Sequence, residues 1–446
     1  MGKTFKLIFW VVFLLLGITL FNLRLNGQEI LSSRNFEIEG ANLSQTVLEQ
    51  ECDLVDKIKI AKEILQTSPP LKMEERSERK KLKNGKYRTT PILVRREISL
   101  AIFDTKTCDV FEKRYLLDQD DIKKANTIRR GYLDNPGDLP KFRPVDVQND
   151  FRVDVNWWNN HNSDLSIVKE GNTEQIENSD LVERKEETGR FIVIGNKFSI
   201  SNDDLAYPED RIGNKYSDVV YVPYSSGIHT QELIELGKKF LVENTDEAFK
   251  ELEAIGVQSH SYPNLLVSEA INKTFVKNLF ITEHTDPALI FASSDNGQRL
   301  AERVLIRLGA NKHQAFRYTY SKTGALGLGQ IMPGTYGSIV KRYPEANLLK
   351  DIDIGRVDIK NGIKATILVL DDHFATVVSN ANKIKKGPAI LKAKTSEQIQ
   401  EIMAAAYNGG PSKYKPLTGN ISLAVRETVD FVRKFKMIRD LKLFAQ

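Results

Sequence analysis

The sequence predicts a multidomain protein: an α-helical C-terminal domain preceded by an α+β, mostly β, accessory region and an N-terminal hydrophobic anchor. Three observations predict it. Lys3 and Lys6 precede an apolar run over residues 7–21, broken only by Gly17 and Thr19. Short β-like runs, bounded by turn residues, fill residues 91–223. Beyond residue 224 the hydrophobic period becomes helical and stays so. At 446 residues the chain is long enough for two or three domains with a sizeable core. The expected division is 1–27 signal peptide or membrane anchor, 28–90 helical stalk and basic linker, 91–223 accessory region, and 224–446 helical domain.

In chain order, the first segment reads as a secretory signal or a short anchor. Leu25-Asn26-Gly27 makes a poor small-residue cleavage site, which favours retention as an anchor. Either way the remainder is expected to be exported and to meet the membrane only through this segment. Residues 46–65 carry an amphipathic stripe of Leu54, Val55, Ile58, Ala61 and Leu65 that Ser68-Pro69-Pro70 terminates. Residues 72–88 hold eight Lys or Arg against three Glu, an excess equal to the chain's net charge of +5. A solvated linker is the expectation there, with attraction to anionic envelope polymers or lipid head groups as an option. Without interleaved aromatic residues, and in an exported chain, nucleic acid is not an expected partner.

Within the accessory region the β-like runs are 92–94, 98–103, 191–194 and 197–200. Gly195-Asn196 between the last two is a two-residue hairpin signal. A polar stretch over 127–190 contains Trp157-Trp158, which either plug a small sheet or stack on sugar rings. Helices are expected over 230–242, 246–255 with Gly256 as terminator, 268–283, 299–308, from near Gln330, 361–378, 397–407 and 423–443. There is no internal repeat.

Few reaction types fit this composition. Six histidines lack ligand spacing, and two cysteines, Cys52 and Cys108, make neither a metal cluster nor a disulfide framework, although an exported chain could pair them. No metal or other cofactor is expected. The least demanding chemistry is carboxylate acid/base catalysis on a glycosidic bond, which needs a Glu on a largely apolar helix face that keeps it protonated. Glu283 follows Leu279 by four residues and Phe280 by three, so it shares their face, and Asp286-Pro287 ends the helix just beyond it. A negative charge at that helix end opposes the dipole. Glu302 is the competing acid, beside the stripe Ala301, Val304, Leu305 and Leu308, with Arg303 and Arg307 suggesting a solvated flank. Glu427 precedes a third apolar face. The segment 324–333, GALGLGQIMP, has four Gly or Ala in its first six residues, so backbone can approach a ligand closely, and Gln330 and Met332 are expected at a helix start.

Together these residues resemble the lytic transglycosylase family of the lysozyme superfamily, over about residues 275–437. Four blocks stand in the family's order: VKNLFITEHTDP, SKTGALGLGQIMPGTY, AAAYNGGPSKY and RETVDFV. The resemblance implies a lysozyme-like helical domain that cleaves the β-1,4 bond between N-acetylmuramic acid and N-acetylglucosamine in bacterial peptidoglycan strands, leaving a 1,6-anhydro end. It implies Glu283 as the single acid/base and Ser321, in the block that carries Gly324, as the contact to the acetamido sugar. Gln330, Met332, Tyr407 and Asn408 would line the glycan groove, with Glu427 in support. Two departures from the family's pattern stand out. His284 follows the acid where Ser is usual. Glu283 also stands forty-one residues before Gly324, where about a dozen is usual, so that Lys312 occupies the uninterrupted position. The residues separate this outcome poorly from a hydrolytic muramidase of goose-lysozyme type, and the departures leave room for a non-catalytic glycan-binding scaffold. Tyr318 and Tyr320, beside Ser321, either stack on sugar faces or pack into the core.

Overall fold

In the computed structural model, which describes residues 52–81, 85–121, 142–146, 148–158, 163–169, 189–318, 321, 323–422 and 424–445, the chain is mixed α+β. The anchor and the first part of the predicted 46–65 helix lie outside the described residues, as does Tyr320. Among the described residues no helix is long and apolar enough to cross a membrane.

The amphipathic stripe forms helix α1 (Leu54–Thr67), capped by Asp53, whose carboxylate accepts from the Asp56 N–H. It is not a stalk. Leu54, Ile58, Ala61 and Leu65 are buried against strands of a six-stranded sheet, and Lys62 Nζ reaches the Ala310 carbonyl at 2.6 Å in the helical half. A disulfide between Cys52 and Cys108 ties the start of α1 to the loop that follows Asp104.

The strands are β1 (Met73–Lys81), β2 (Tyr87–Asp104), β3 (Val110–Asp118), β4 (Arg143–Pro144), β5 (Phe151–Trp158), β6 (Ser163–Lys169), β7 (Phe191–Ser201) and β8 (Tyr216–Tyr221). The main sheet runs β4-β3-β2-β7-β8, with β1 also paired to β2, and β5-β6 form a separate hairpin. Two sequence expectations fail here. The basic segment 72–88 is not a linker: β1 pairs antiparallel with β2 from Met73↔Arg96 to Lys81↔Tyr87. Glu74 pairs with Arg95 of β2 and Glu75 with Lys215, and the surplus cations face solvent along this exposed strand, where their repulsion is screened.

Nor does Gly195-Asn196 turn the chain. It lies inside the continuous strand β7, beside a bulge opposite Ala101 and Ile102. A Cβ on Gly195 would stand 2.8 Å from Leu65 Cδ1 and 3.1 Å from Ala101 Cβ. The glycine is there because α1 crosses the strand closely, not because a turn needs it. Strand alternation divides the apolar residues. Ala101, Phe103, Ile192 and Ile194 join the core shared with α1 and the helices, whereas Ile98, Leu100, Ile102 and Val193 face the β5-β6 hairpin. Tyr318 joins that second cluster and is buried, so its role is packing. The side chains of Trp157 and Trp158 lie outside the described residues.

The helical half comprises α2 (Gln231–Ile255), α3 (Val267–Ala270), α4 (Lys273–Glu283), α5 (Pro287–Ala292), α6 (Gln298–Asn311), α7 (Pro333–Arg342), α8 (Ile352–Val357), α9 (Ile359–Asn382), α10 (Gly387–Lys392), α11 (Ser396–Gly409) and α12 (Arg426–Asp440), with a two-residue ribbon, β9 (Tyr414–Lys415) and β10 (Asn420–Ile421). Two expected helices merge into α2, because Asn244 and Thr245 at the predicted gap are buried and the Asn244 amide donates back to the Phe240 carbonyl. The expected 268–283 helix instead divides at Asn272, whose side chain caps α4 by accepting from the Phe275 N–H. Gly256 ends α2 in the left-handed conformation as expected. α2 and α6 pack closely at Gly237, where any Cβ would overlap the Leu305 carbonyl. Leu48–Gln446 is one compact unit, so the accessory and helical regions do not separate as two bodies.

Candidate active site

Helix α4 delivers Glu283. Phe275, Val276, Leu279, Phe280 and Ile281 are buried, and Phe275 meets Phe435 of α12 edge-on at 5.3 Å between ring centroids. The apolar packing carries the helix to its last residue, Glu283, which remains partly open. Burial of the carboxyl pushes its pKa from 4.5 up to about 7, a rise that Lys434 opposes and Glu427 reinforces. Its seat at a helix C-terminus also disfavours the anion.

Lys434 on α12 was not singled out in the sequence. Its ammonium is buried, donates to the Thr285 carbonyl at 2.6 Å, and is pulled below its ordinary pKa by burial while Glu283 opposes that fall. The sequence did carry a signal: a lysine inside the stripe Phe431, Phe435, Ile438 is out of place on an apolar face. Glu427 stands exposed in the first turn of the same helix.

The glycine-rich stretch is a tight loop and not a helix start. Leu326 and Ile331 pair across the turn, Gln330 takes a left-handed φ of 48°, and α7 begins only at Pro333. Gln330 Nε2 donates back to the Gly327 carbonyl at 2.8 Å. The Ser321 hydroxyl accepts from the Ala325 N–H at 2.8 Å, and Gly324, at φ 89°, stands where a Cβ would meet open space. Met332 is exposed. The buried Arg356 pins this loop by donating from Nη1 to the carbonyls of Gly324 at 2.7 Å and Ile331 at 3.0 Å. Nothing in the sequence around Arg356 marked it for that task.

Tyr407, near the end of α11, closes the arrangement. Its hydroxyl donates to the Gly329 carbonyl at 2.5 Å and lies 3.5 Å from Thr366 Oγ1 of α9. A Cβ on Gly329 would overlap Thr366 Oγ1, so only glycine lets the loop seat against that pair. Burial and the nearby Glu283 charge both raise the Tyr407 pKa, so the phenol stays protonated. Asn408 follows, half-buried.

His284 joins the acid helix to the loop. The Leu328 carbonyl can only accept, so Nε2 carries the proton and donates to it at 2.8 Å. The ring stacks on Phe316 at 3.7 Å, and the Arg307 guanidinium lies 4.2 Å from that ring's centroid. Burial, with Arg307 beside it, lowers the imidazole pKa to about 3, so the ring is neutral. Arg307 is therefore buried, contrary to its expected place on a solvated flank.

Glu302 occupies a different environment. It accepts from Gln298 Nε2 at 2.5 Å and from His229 Nε2 at 2.9 Å, while the Tyr224 hydroxyl donates to His229 Nδ1 at 2.9 Å. Burial acts against the anion, but these bonds prevail and hold its pKa below the ordinary range. Lys312 sits at the end of α6 with φ 49°. The site thus gathers Glu283, Tyr407 and Lys434, with the Glu427 charge in reach. Ser321 and Gln330 turn their polar groups into the loop that Tyr407 holds. Among the described residues no group of three or more His, Cys, Asp or Glu side chains is arranged to hold a metal ion.

No family model, no curated protein and no solved structure matches this chain.

Proposed function

We propose that the chain is an exported peptidoglycan lytic transglycosylase whose lysozyme-like helical region uses Glu283 as its single acid/base. The observation that carries this reading is the Glu283 carboxyl, pushed up to about 7 by burial at the end of α4 and near enough to Tyr407, which holds the glycine-rich loop, for its charge to raise that phenol's pKa. A carboxylic acid that keeps its proton near neutral pH can protonate a glycosidic oxygen. As the C1–O bond breaks, the leaving sugar departs with that proton as its hydroxyl. The Glu283 carboxylate then takes the proton from the C6 hydroxyl of the remaining sugar while that oxygen closes on C1. The acid is regenerated and no water is consumed. Lys434 stabilises the transient carboxylate, and the pinned loop with Met332 at its mouth offers a wall for the strand. Export is supported by the Cys52–Cys108 disulfide, since such bonds persist in oxidising compartments.

Incubating sacculi with the protein and analysing the soluble products by mass spectrometry tests the proposal. Anhydro-ended muropeptides are expected. Reducing ends would instead make the chain a hydrolytic muramidase. Binding without release would make it a glycan-binding scaffold and overturn the catalytic role of Glu283.

A further inference from the structure

A cavity of about 570 Å³ opens on a different part of the helical half, among the loop after α2, the end of α7 and the last turns of α9. Its size falls within the roughly 300–1,000 Å³ typical of small-molecule sites. Two consecutive buried aspartates on α9 stand behind its walls and hold lining residues in place. Asp371 accepts from Ser259 Oγ at 2.6 Å, the His260 N–H at 2.6 Å, the Ser261 N–H at 3.2 Å and the Tyr343 hydroxyl at 2.7 Å, which fixes the loop. Asp372 pairs with Arg342, Oδ1 to Nε at 2.8 Å and Oδ2 to Nη1 at 3.1 Å, which fixes the guanidinium. Arg342 and Lys383 are the charged side chains in the lining, with the Asp372 carboxylate behind Arg342.

The remaining lining is suited to a polar ligand. Asn380 accepts from Lys383 Nζ at 3.2 Å, leaving the ammonium two further donors. Arg342 retains Nη2 beyond its pair with Asp372. Thr376 and Ser379 add hydroxyls, and the exposed His260 ring lies flat on Tyr343 at 4.1 Å and 18°, a fixed aromatic plane at the rim. We propose that this cavity is a second binding site, independent of Glu283, for a small ligand bearing a carboxylate or phosphate on a hydroxyl- or amide-rich skeleton. The oxyanion would sit between Arg342 and Lys383, with the skeleton along Thr376, Ser379 and His260. The site differs from a solvated basic surface in that its guanidinium and its loop are each held by a buried carboxylate before any ligand arrives.

Amide-resolved NMR titration of the protein tests it with muramyl dipeptide, glucose 6-phosphate, inorganic phosphate and the neutral disaccharide chitobiose. Saturable shifts confined to the His260, Thr376 and Lys383 amides are expected with at least one of the two anionic organic ligands. Those shifts should appear with neither chitobiose nor phosphate alone at the same concentration. Lys383→Gln should weaken the binding about tenfold, and Arg342→Gln by more. Because the Arg342 change leaves Asp372 unpaired, Arg342→Lys and the Lys383 variant carry the test if it fails to fold. Which anionic ligand binds identifies the source of the oxyanion. No saturable shift with either below about 10 mM, or equal binding by wild type and Lys383→Gln, would overturn the proposal. Binding of chitobiose as tight as that of the anions would also overturn it. Muropeptide release is a separate readout, so a failure here leaves the Glu283 reading untouched.

Discussion

Two carboxyls in the helical half, Glu283 and Glu302, carry the same chemistry and end in opposite states. Glu302 is met by Gln298 and His229 and is held as an anion, although burial works against it. Glu283 is surrounded by apolar packing, with one buried cation nearby and a second acid in reach, and is pushed up to about 7. Burial raises both pKa values, and more fully at Glu283 than at Glu302, where the bonded donors outweigh it. Depth of burial and the number of donors aimed at the carboxylate together set the two states apart. The contrast explains why a carboxylate met by His229 and Gln298 is held ionised, whereas one at the end of an apolar helix keeps its proton.

The sharpest way to break the contrast is to exchange each acid for its amide. Glu283→Gln should lower muropeptide release by about 10²–10⁴-fold, the usual share of a general acid. Glu302→Gln should keep substantial release and instead lower stability by about 1–3 kcal/mol, because an anion bonded to two partners is lost. Release assays and chemical denaturation check both, and equal loss of release in the two variants would erase the distinction.

Stability against pH gives the next largest effect. The folded pKa of Glu283 lies above its ordinary 4.5, so between that value and about 7 the folded state binds more protons than the unfolded state. Stability from this group is therefore greatest below about 4.5, declines as pH rises toward about 7, and then levels. Glu283→Gln should remove that decline and make the protein more stable at pH 8, by up to about 3 kcal/mol, with the Lys434 attraction already contained in that pKa. Denaturant midpoints at pH 5 and pH 8 read it. A third change acts through the neighbour. Lys434→Met removes the cation that lowers the Glu283 pKa, so the alkaline limb of the release profile should move upward by about one pH unit. A downward move would show that Lys434 acts in some other way.

Gly329→Ala probes the wall, not the acid. The added methyl would overlap Thr366 Oγ1, so the loop must withdraw from Tyr407 at a cost of about 1–3 kcal/mol. Release should fall further than stability alone explains, whereas Gly324→Ala, which adds its methyl into open space, should act only through its left-handed backbone.

What the sequence made legible follows from which forces are local. Helical periodicity located α6, α9, α11 and α12 to within a few residues at most of their ends, and the stripe through Leu279 and Phe280 placed Glu283 at a buried helix end. The misses came from tertiary contacts. Gly195-Asn196 has the composition of a hairpin turn, yet its glycine answers to Leu65 of a helix more than a hundred residues away. Residues 72–88 lack the apolar alternation of a strand, because β1 is exposed along most of its length and owes its state to pairing with β2. Arg356 looks like any helix-end arginine until the loop it holds is folded. His284 was visible as a departure, but only its bond to Leu328 and its stack on Phe316 give it a task.

The claim beneath all of this is that the end of α4 holds a proton at neutral pH. A carbon-13 NMR titration of the Glu283 side-chain carboxyl in the intact protein, assigned through Glu283→Gln, measures it directly. A midpoint near 7, with the Glu302 carboxyl titrating below the ordinary glutamate range, is the expected result. A Glu283 midpoint near 4.5 would contradict it.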